Sequence, residues 1–496
     1  MTRKIMAMAA LLSFCLSDIS YAVSLNFSGS AYSLDNSNVP LPDVAKAARI
    51  TPPASRTEKK WTVMVFLNGK NNLEPAGLYN VNQMEKVGST KDVNIVVELG
   101  RLNGGGAAGT AENWTGARRL FIKKDNDPNK ITSPGIEGGG NADMGDYKRV
   151  VDFINWARKY YPARKYMLIL WDHGTGWMDP QQTTNPDNKG ISFDDETNNY
   201  IRTRQIGQIL KDAGKVNVLA FDACLMQMGE VAFEVKDKTD VVVGSEEVVP
   251  GLGFPYSLFL GALAGNPDMS AETLGAATVE SFKMFYDALN TNAAAAGKPV
   301  SGVQLSAIRS AKLGDFGTMV SAFAALAKEV NDTDALQAAR AGVMRYDIIG
   351  KNSDLQKTIS FYGDLHNYAG LLAAALKGTE GPTKAATLKR YAADLQNFID
   401  KELVIDNKAS GKDRLGRDMA DSHGISIYLP PAEARVPQEK LEGIFEGKYT
   451  DFEFDKATRW HDFINYLYGL KDITAKGETQ RGGVPAMDIP VINLAR

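Results

Sequence analysis

From residue 60 to about 265, strand-length apolar runs alternate with segments of helical period, which restricts the chain to a mostly parallel sheet covered by helices. The strand-like runs are TVMVFLN (62–68), VNIVVELG (93–100), RRLFI (118–122), YMLILWDH ending at His173, KVNVLAFDAC ending at Cys224, and DVVVGSEEVVP from Asp240. Between them, helical patterns run from about Leu73 to Val87, from an N-cap at Asp146 through Tyr160, near Arg204–Asp212, and from about Met228 to Val235. Beyond residue 265 the chain turns Ala-rich and helical to its end at 496, interrupted by strand-like runs at 303–308 and 424–430. The expectation is an α/β catalytic unit over 60–265 followed by a mainly helical region over 266–496.

The N-terminus departs from this pattern. Arg3 and Lys4 precede an apolar stretch from Ile5 to Leu16, and Ser20-Tyr21-Ala22 offers small residues where a signal peptidase reads them. Residues 1–22 therefore read as a signal peptide, with a buried N-terminal helix as the alternative, and the product is exported to a periplasm or the extracellular space. Residues 23–59, rich in Ser, Asn, Pro and Ala, read as a linker or prosegment. Losing 1–22 moves the formal charge from −3 to −4, because Arg3, Lys4 and Asp18 go with it. It also removes Cys15, leaving Cys224 as the one cysteine of the mature chain, so an intrachain disulfide is excluded. Charges of both signs are interspersed, which argues against a nucleic-acid groove. No run of eighteen apolar residues follows the leader, so no membrane span is expected.

In an open α/β sheet, ligands gather at the carboxyl ends of the parallel strands, and both His173 and Cys224 end strands there. A thiolate attacks carbonyl carbon well, and an imidazole can take the thiol proton and return it to the leaving amine. Gly174, directly after the histidine, has no side chain to keep its amide from a developing oxyanion, and the amide of Cys224 is a second donor. The competing reading is a buried structural cysteine with a loop-capping histidine. Only four histidines occur. His366 and His461 lie in helical patterns, and His423 begins a strand rather than ending one. No two histidines fall three to five residues apart, which excludes zinc sites of the familiar spacings. Asp125, Asp127 and Asn129 start like a calcium loop, but Lys130 replaces the required glycine.

Asp222 precedes Cys224 by two and shares its strand face, so its carboxylate can receive a cationic substrate side chain; capping the next helix is the alternative. Ser245 and Glu246, in VVVGSEEVVPGLGFPY, add a polar wall to the same cleft, with solvated surface as the alternative.

The set LNGKNNLE (67–74), NADMGD (141–146), LILWDHGTGW (168–177), FDAC (221–224) and GSEEVVPGLGFPY (244–256) resembles the clostripain family of cysteine peptidases, within the larger caspase-like group. The resemblance covers about residues 60–260. It implies a caspase-like α/β/α sandwich and an endopeptidase in which His173 is the base, Cys224 the nucleophile and Asp222 the acid favouring Arg or Lys before the scissile bond. It further implies protein or peptide substrates, no cofactor for the chemistry, calcium sometimes assisting, and maturation by clipping between the two catalytic strands. The polar connection 178–190 supplies Lys189 as a basic cleavage point. Two other classes stay open on the residues alone: a catalytically silent binding protein on the same scaffold, and a thiol acyltransferase or ligase. The sequence fixes no oligomeric state.

Overall fold

A computed structural model describes residues 57–102, 114–138, 142–179, 190–295, 302–346, 361–413, 416–431 and 446–470, together with the two-residue strand at 43–44. Residues 1–22, read above as a signal peptide, most of the 23–59 segment and Lys189 lie outside the described residues. Nine strands form the main sheet: β1 (Lys59–Gly69), β2 (Val93–Arg101), β3 (Gly116–Phe121), β4 (Gly135–Gly138), β5 (Ala163–Trp171), β6 (Val216–Asp222), β7 (Thr239–Gly244), β8 (Val303–Arg309) and β9 (Val404–Ser410). Their spatial order is β9-β8-β7-β6-β5-β1-β2-β3-β4. The middle five strands, β7 to β2, are parallel, and antiparallel strands flank them on both sides.

Burial on both faces explains why these strands read as continuous apolar runs. Alternate residues of one strand feed two separate cores. Met64, Phe66, Leu168, Leu170, Leu219 and Phe221 enter one, packed against the helices Tyr147–Tyr160 and Thr203–Ala213. Val63, Val65, Met167, Ile169, Val218 and Ala220 enter the other, under the helices Glu74–Val87, Tyr256–Gly265 and Ala271–Ala295. Local signals agree with the tertiary outcome. Asp146 caps its helix by accepting from the amide of Lys148 at 3.0 Å, as its position before the apolar-periodic segment predicts.

The region after residue 265 is mainly helical, as expected, but it is not a separately packed unit. Its strands β8 and β9 extend the central sheet, and residues as distant as Met64 and Leu467 belong to one core. The run at 424–430 forms the strand Ser426–Tyr428, which pairs with Tyr362–Asp364, itself paired on its other side with Arg345–Tyr346, in a small sheet of its own. This C-terminal layer also fixes the loop after His173. The Tyr362 hydroxyl donates to the carbonyl of Thr175 at 2.5 Å and accepts from the amide of Met178 at 3.3 Å. No helix among the described residues is long and apolar enough to cross a membrane.

Candidate active site

Strands β5 and β6 are parallel neighbours with Trp171 opposite Asp222, and the amide of Asp172 donates to the carbonyl of Asp222 at 3.2 Å. The register therefore delivers His173 and Cys224 to adjoining positions at the carboxyl edge of the sheet. Contact between the two segments is close: a Cβ on Gly174 would lie 2.4 Å from the carbonyl oxygen of Cys224 and 3.1 Å from its nitrogen. Both obstacles are backbone, so only glycine fits after the histidine.

Past Cys224 the chain turns sharply. Leu225 has φ 64°, a left-handed conformation that a branched side chain adopts at a cost of roughly 1–2 kcal/mol. Its burial at 3% exposure and the bond from its amide to the carbonyl of Glu247, at 3.2 Å, hold it there. The thiol is partly buried, and Sγ lies 3.8 Å from the carbonyl of Val249. Residues 247–249 thus wrap the thiol. Burial first, then the carboxylates of Glu247, Asp222 and Asp172, push the thiol from 9.0 up to about 12.

His173 Nε2 lies 2.9 Å from Oδ1 of Asn72. The asparagines around it form a rigid shelf. Asn68 and Asn71 donate to Asp172 at 3.3 and 2.7 Å, and Asn71 also donates to the carbonyl of Phe193 at 2.8 Å. Sequence reasoning missed Asn71 and Asn72 as site residues. Their signal was the polar run NGKNN at the end of β1, the strand beside β5.

Asp222 is 3% exposed, and burial raises its carboxyl from 3.8 to about 7. It accepts from the amide of Phe254 at 3.1 and 3.0 Å and from the Tyr256 hydroxyl at 3.0 Å, while Gly253 packs so closely that a Cβ would lie 2.8 Å from the carboxylate. Ser245 is buried and accepts from the amide of Glu247 at 3.1 Å. Glu246 requires correction. Its side chain is fully buried on the side of the C-terminal layer, where it accepts from the amide of Gly424 at 2.8 Å and hydrogen-bonds Asp364. Glu247, one residue on and unassigned in the sequence reading, is the glutamate whose field reaches the thiol. The course of the 245–249 turn, past the end of the strand at Gly244, decides which of the pair faces the thiol.

A cation-binding cage lies beside the asparagine shelf and is filled by the protein itself. The Lys70 ammonium, fully buried, meets the carbonyl of Ala142 at 2.8 Å, Glu196 at 2.7 Å and Asp194 at 3.4 Å. These oxygens suit a hard cation, but a calcium ion does not fit there while Lys70 does.

Comparison with known proteins places the chain in context. The profile of the clostripain family matches residues 65–467. Clostripain from Hathewaya histolytica is 28% identical over 237 residues, which cover 43% of this chain and 44% of that protein, so the match spans less than half the length of the relative. A secreted C11 cysteine protease from Bacteroides thetaiotaomicron, solved with an irreversible peptide inhibitor, superposes with a TM-score of 0.56 at 20% identity, covering 81% of this chain and 99% of that one. An inactive zymogen C11 protease from Parabacteroides distasonis gives 0.56 at 19% identity, covering 82% of this chain and 99% of that one. At such identities the superpositions establish the shared fold.

Proposed function

Because the chain belongs to the clostripain family, we propose that it is a cysteine endopeptidase that cleaves after Arg or Lys, with Cys224 as nucleophile and His173 as base. The observation that supports this reading is the backbone contact of Gly174 with Cys224, which brings the two chain segments that end in His173 and Cys224 together at one sheet edge. With the Nε2 proton donated to Asn72, Nδ1 is the basic nitrogen. It takes the thiol proton as Sγ attacks the scissile carbonyl carbon. The oxyanion that forms is met by the amides of Gly174 and Cys224. His173 then returns the proton to the leaving amine, and water hydrolyses the acyl-thioester.

Asp222 and Glu247 supply the negative charge that draws a basic side chain into the cleft, with Ser245 holding the 245–249 segment in place. A bound guanidinium offsets the two carboxylates that raise the thiol, so substrate binding itself favours ionisation. Maturation proceeds by cleavage in the 178–190 connection, with Lys189 as the basic point, after export directed by residues 1–22. Calcium is not needed for the chemical steps.

The test is Cys224→Ala. It should abolish hydrolysis of peptides ending in Arg or Lys and leave the precursor whole on a denaturing gel, whereas the wild type yields two fragments. Undiminished turnover in that variant would refute the assignment. Product masses recorded with added amines distinguish hydrolysis from acyl transfer.

A further inference from the structure

Two of the four histidines, 57 positions apart in the chain, meet in the C-terminal layer. His366 opens the helix Leu365–Ala375, and His423 precedes the strand Ser426–Tyr428 that lies against it. Their rings stack at 3.7 Å between centroids, and Nε2 of His366 lies 3.3 Å from Oδ2 of Asp400. One ligand atom from each of His366, Asp400 and His423 falls within 4.8 Å of the other two. We propose that these three side chains form a binding site for a divalent transition metal of the zinc class, separate from the thiol site.

Two imidazoles and one carboxylate are the donor set that zinc, cobalt and nickel prefer over calcium or magnesium. His366 is 8% exposed, so its ring is held in place among its neighbours. The facing groups are accounted for. Gln396 Nε2 approaches Nδ1 of His366 at 3.4 Å and donates to its carbonyl at 3.1 Å, and the Asp364 carboxylate interacts electrostatically with both histidines. A metal ion lies in the plane of each ring that ligates it, so stacked rings cannot both bind as they stand. His423, half-buried where His366 is buried, is the ring that turns out of the stack.

The site connects to the thiol through four residues. His423 donates its amide to Asp364, Asp364 hydrogen-bonds Glu246, and Gly424 donates its amide to the same Glu246. Glu246 precedes Glu247, whose carbonyl accepts from Leu225 beside Cys224.

The experiment uses the full chain carrying Cys224→Ala, which removes the thiol as a competing ligand. Zinc and cobalt chlorides are titrated by calorimetry, and the cobalt form is read by its visible absorption. The expected result is one ion per chain, with at least about tenfold weaker binding in Asp400→Asn and in His423→Ala. Asp400 is exposed, so its variant tests the site without disturbing the core. Equal binding by the Cys224→Ala chain with and without Asp400→Asn or His423→Ala, or no saturable binding at all, overturns the proposal. Because the background lacks the thiol, neither outcome depends on peptidase activity.

Discussion

The sharpest prediction concerns the reactivity of Cys224 in the resting chain. Burial and three carboxylates move the thiol from 9.0 to about 12. Three units correspond to about a thousandfold less thiolate at neutral pH than an unshifted thiol carries. Glu247→Gln keeps the side-chain volume and removes the carboxylate that acts most strongly among the three. A neighbouring like charge is worth about one to three units, and burial takes the largest share here, so the lower end applies: about one unit, or roughly tenfold in thiolate. The assay is the second-order rate constant for iodoacetamide alkylation across about pH 6 to 10, read by mass, with the same chain unfolded in denaturant as the unshifted reference. The native thiol should react about a thousandfold more slowly than that reference near neutrality, and Glu247→Gln should recover about one factor of ten. Comparing the variant with the wild type holds accessibility fixed, so the gain reports charge alone. A native thiol as fast as the unfolded one, or a variant indistinguishable from the wild type, would show that the carboxylates do not govern the nucleophile.

Asn72→Ala frees the imidazole from its partner at Nε2 and should lower kcat by about ten- to a hundredfold with little change in KM; an equal effect on KM would mean that Asn72 contacts substrate instead. Gly174→Ala places a methyl group 2.4 Å from a backbone oxygen, and forcing the two strand ends apart should cost about 1–3 kcal/mol and most of the activity; wild-type Tm and turnover would refute the close packing. Asp222 has its carboxyl raised to about 7 by burial, so it is neutral below that pH and negative above it. The preference for Arg over a neutral residue at the cleavage site, measured as a ratio of kcat/KM values, should therefore rise with pH through 7, and a ratio constant from acid to alkaline pH would remove Asp222 from the pocket.

What was legible in the sequence is what periodicity and short motifs encode. Apolar runs alternating with helical segments fixed the sheet, and Asp146 marked a helix start. Strands ending in His-Gly and Asp-Ala-Cys pointed to one edge, because a parallel sheet collects its strand ends there. Side-chain direction within an irregular segment was not legible. Past Gly244 the chain leaves the ladder, and which of Glu246 and Glu247 faced the thiol depended on how the 245–249 turn continued the strand. The supporting asparagines were likewise visible only as a polar run until β1 was seen beside β5.

The sequence by itself determined the parallel centre of the sheet and the common edge at which the strands leading to His173 and Cys224 end, since each rests on local pattern and the geometry of adjacent parallel strands. Only the tertiary structure decided that the C-terminal half completes the same sheet and core, that Lys70 fills an oxygen cage, and that His366 and His423 stack against one another. Those contacts join positions far apart in the chain, and their formation depends on how whole layers pack, which no spacing of residues along the chain records.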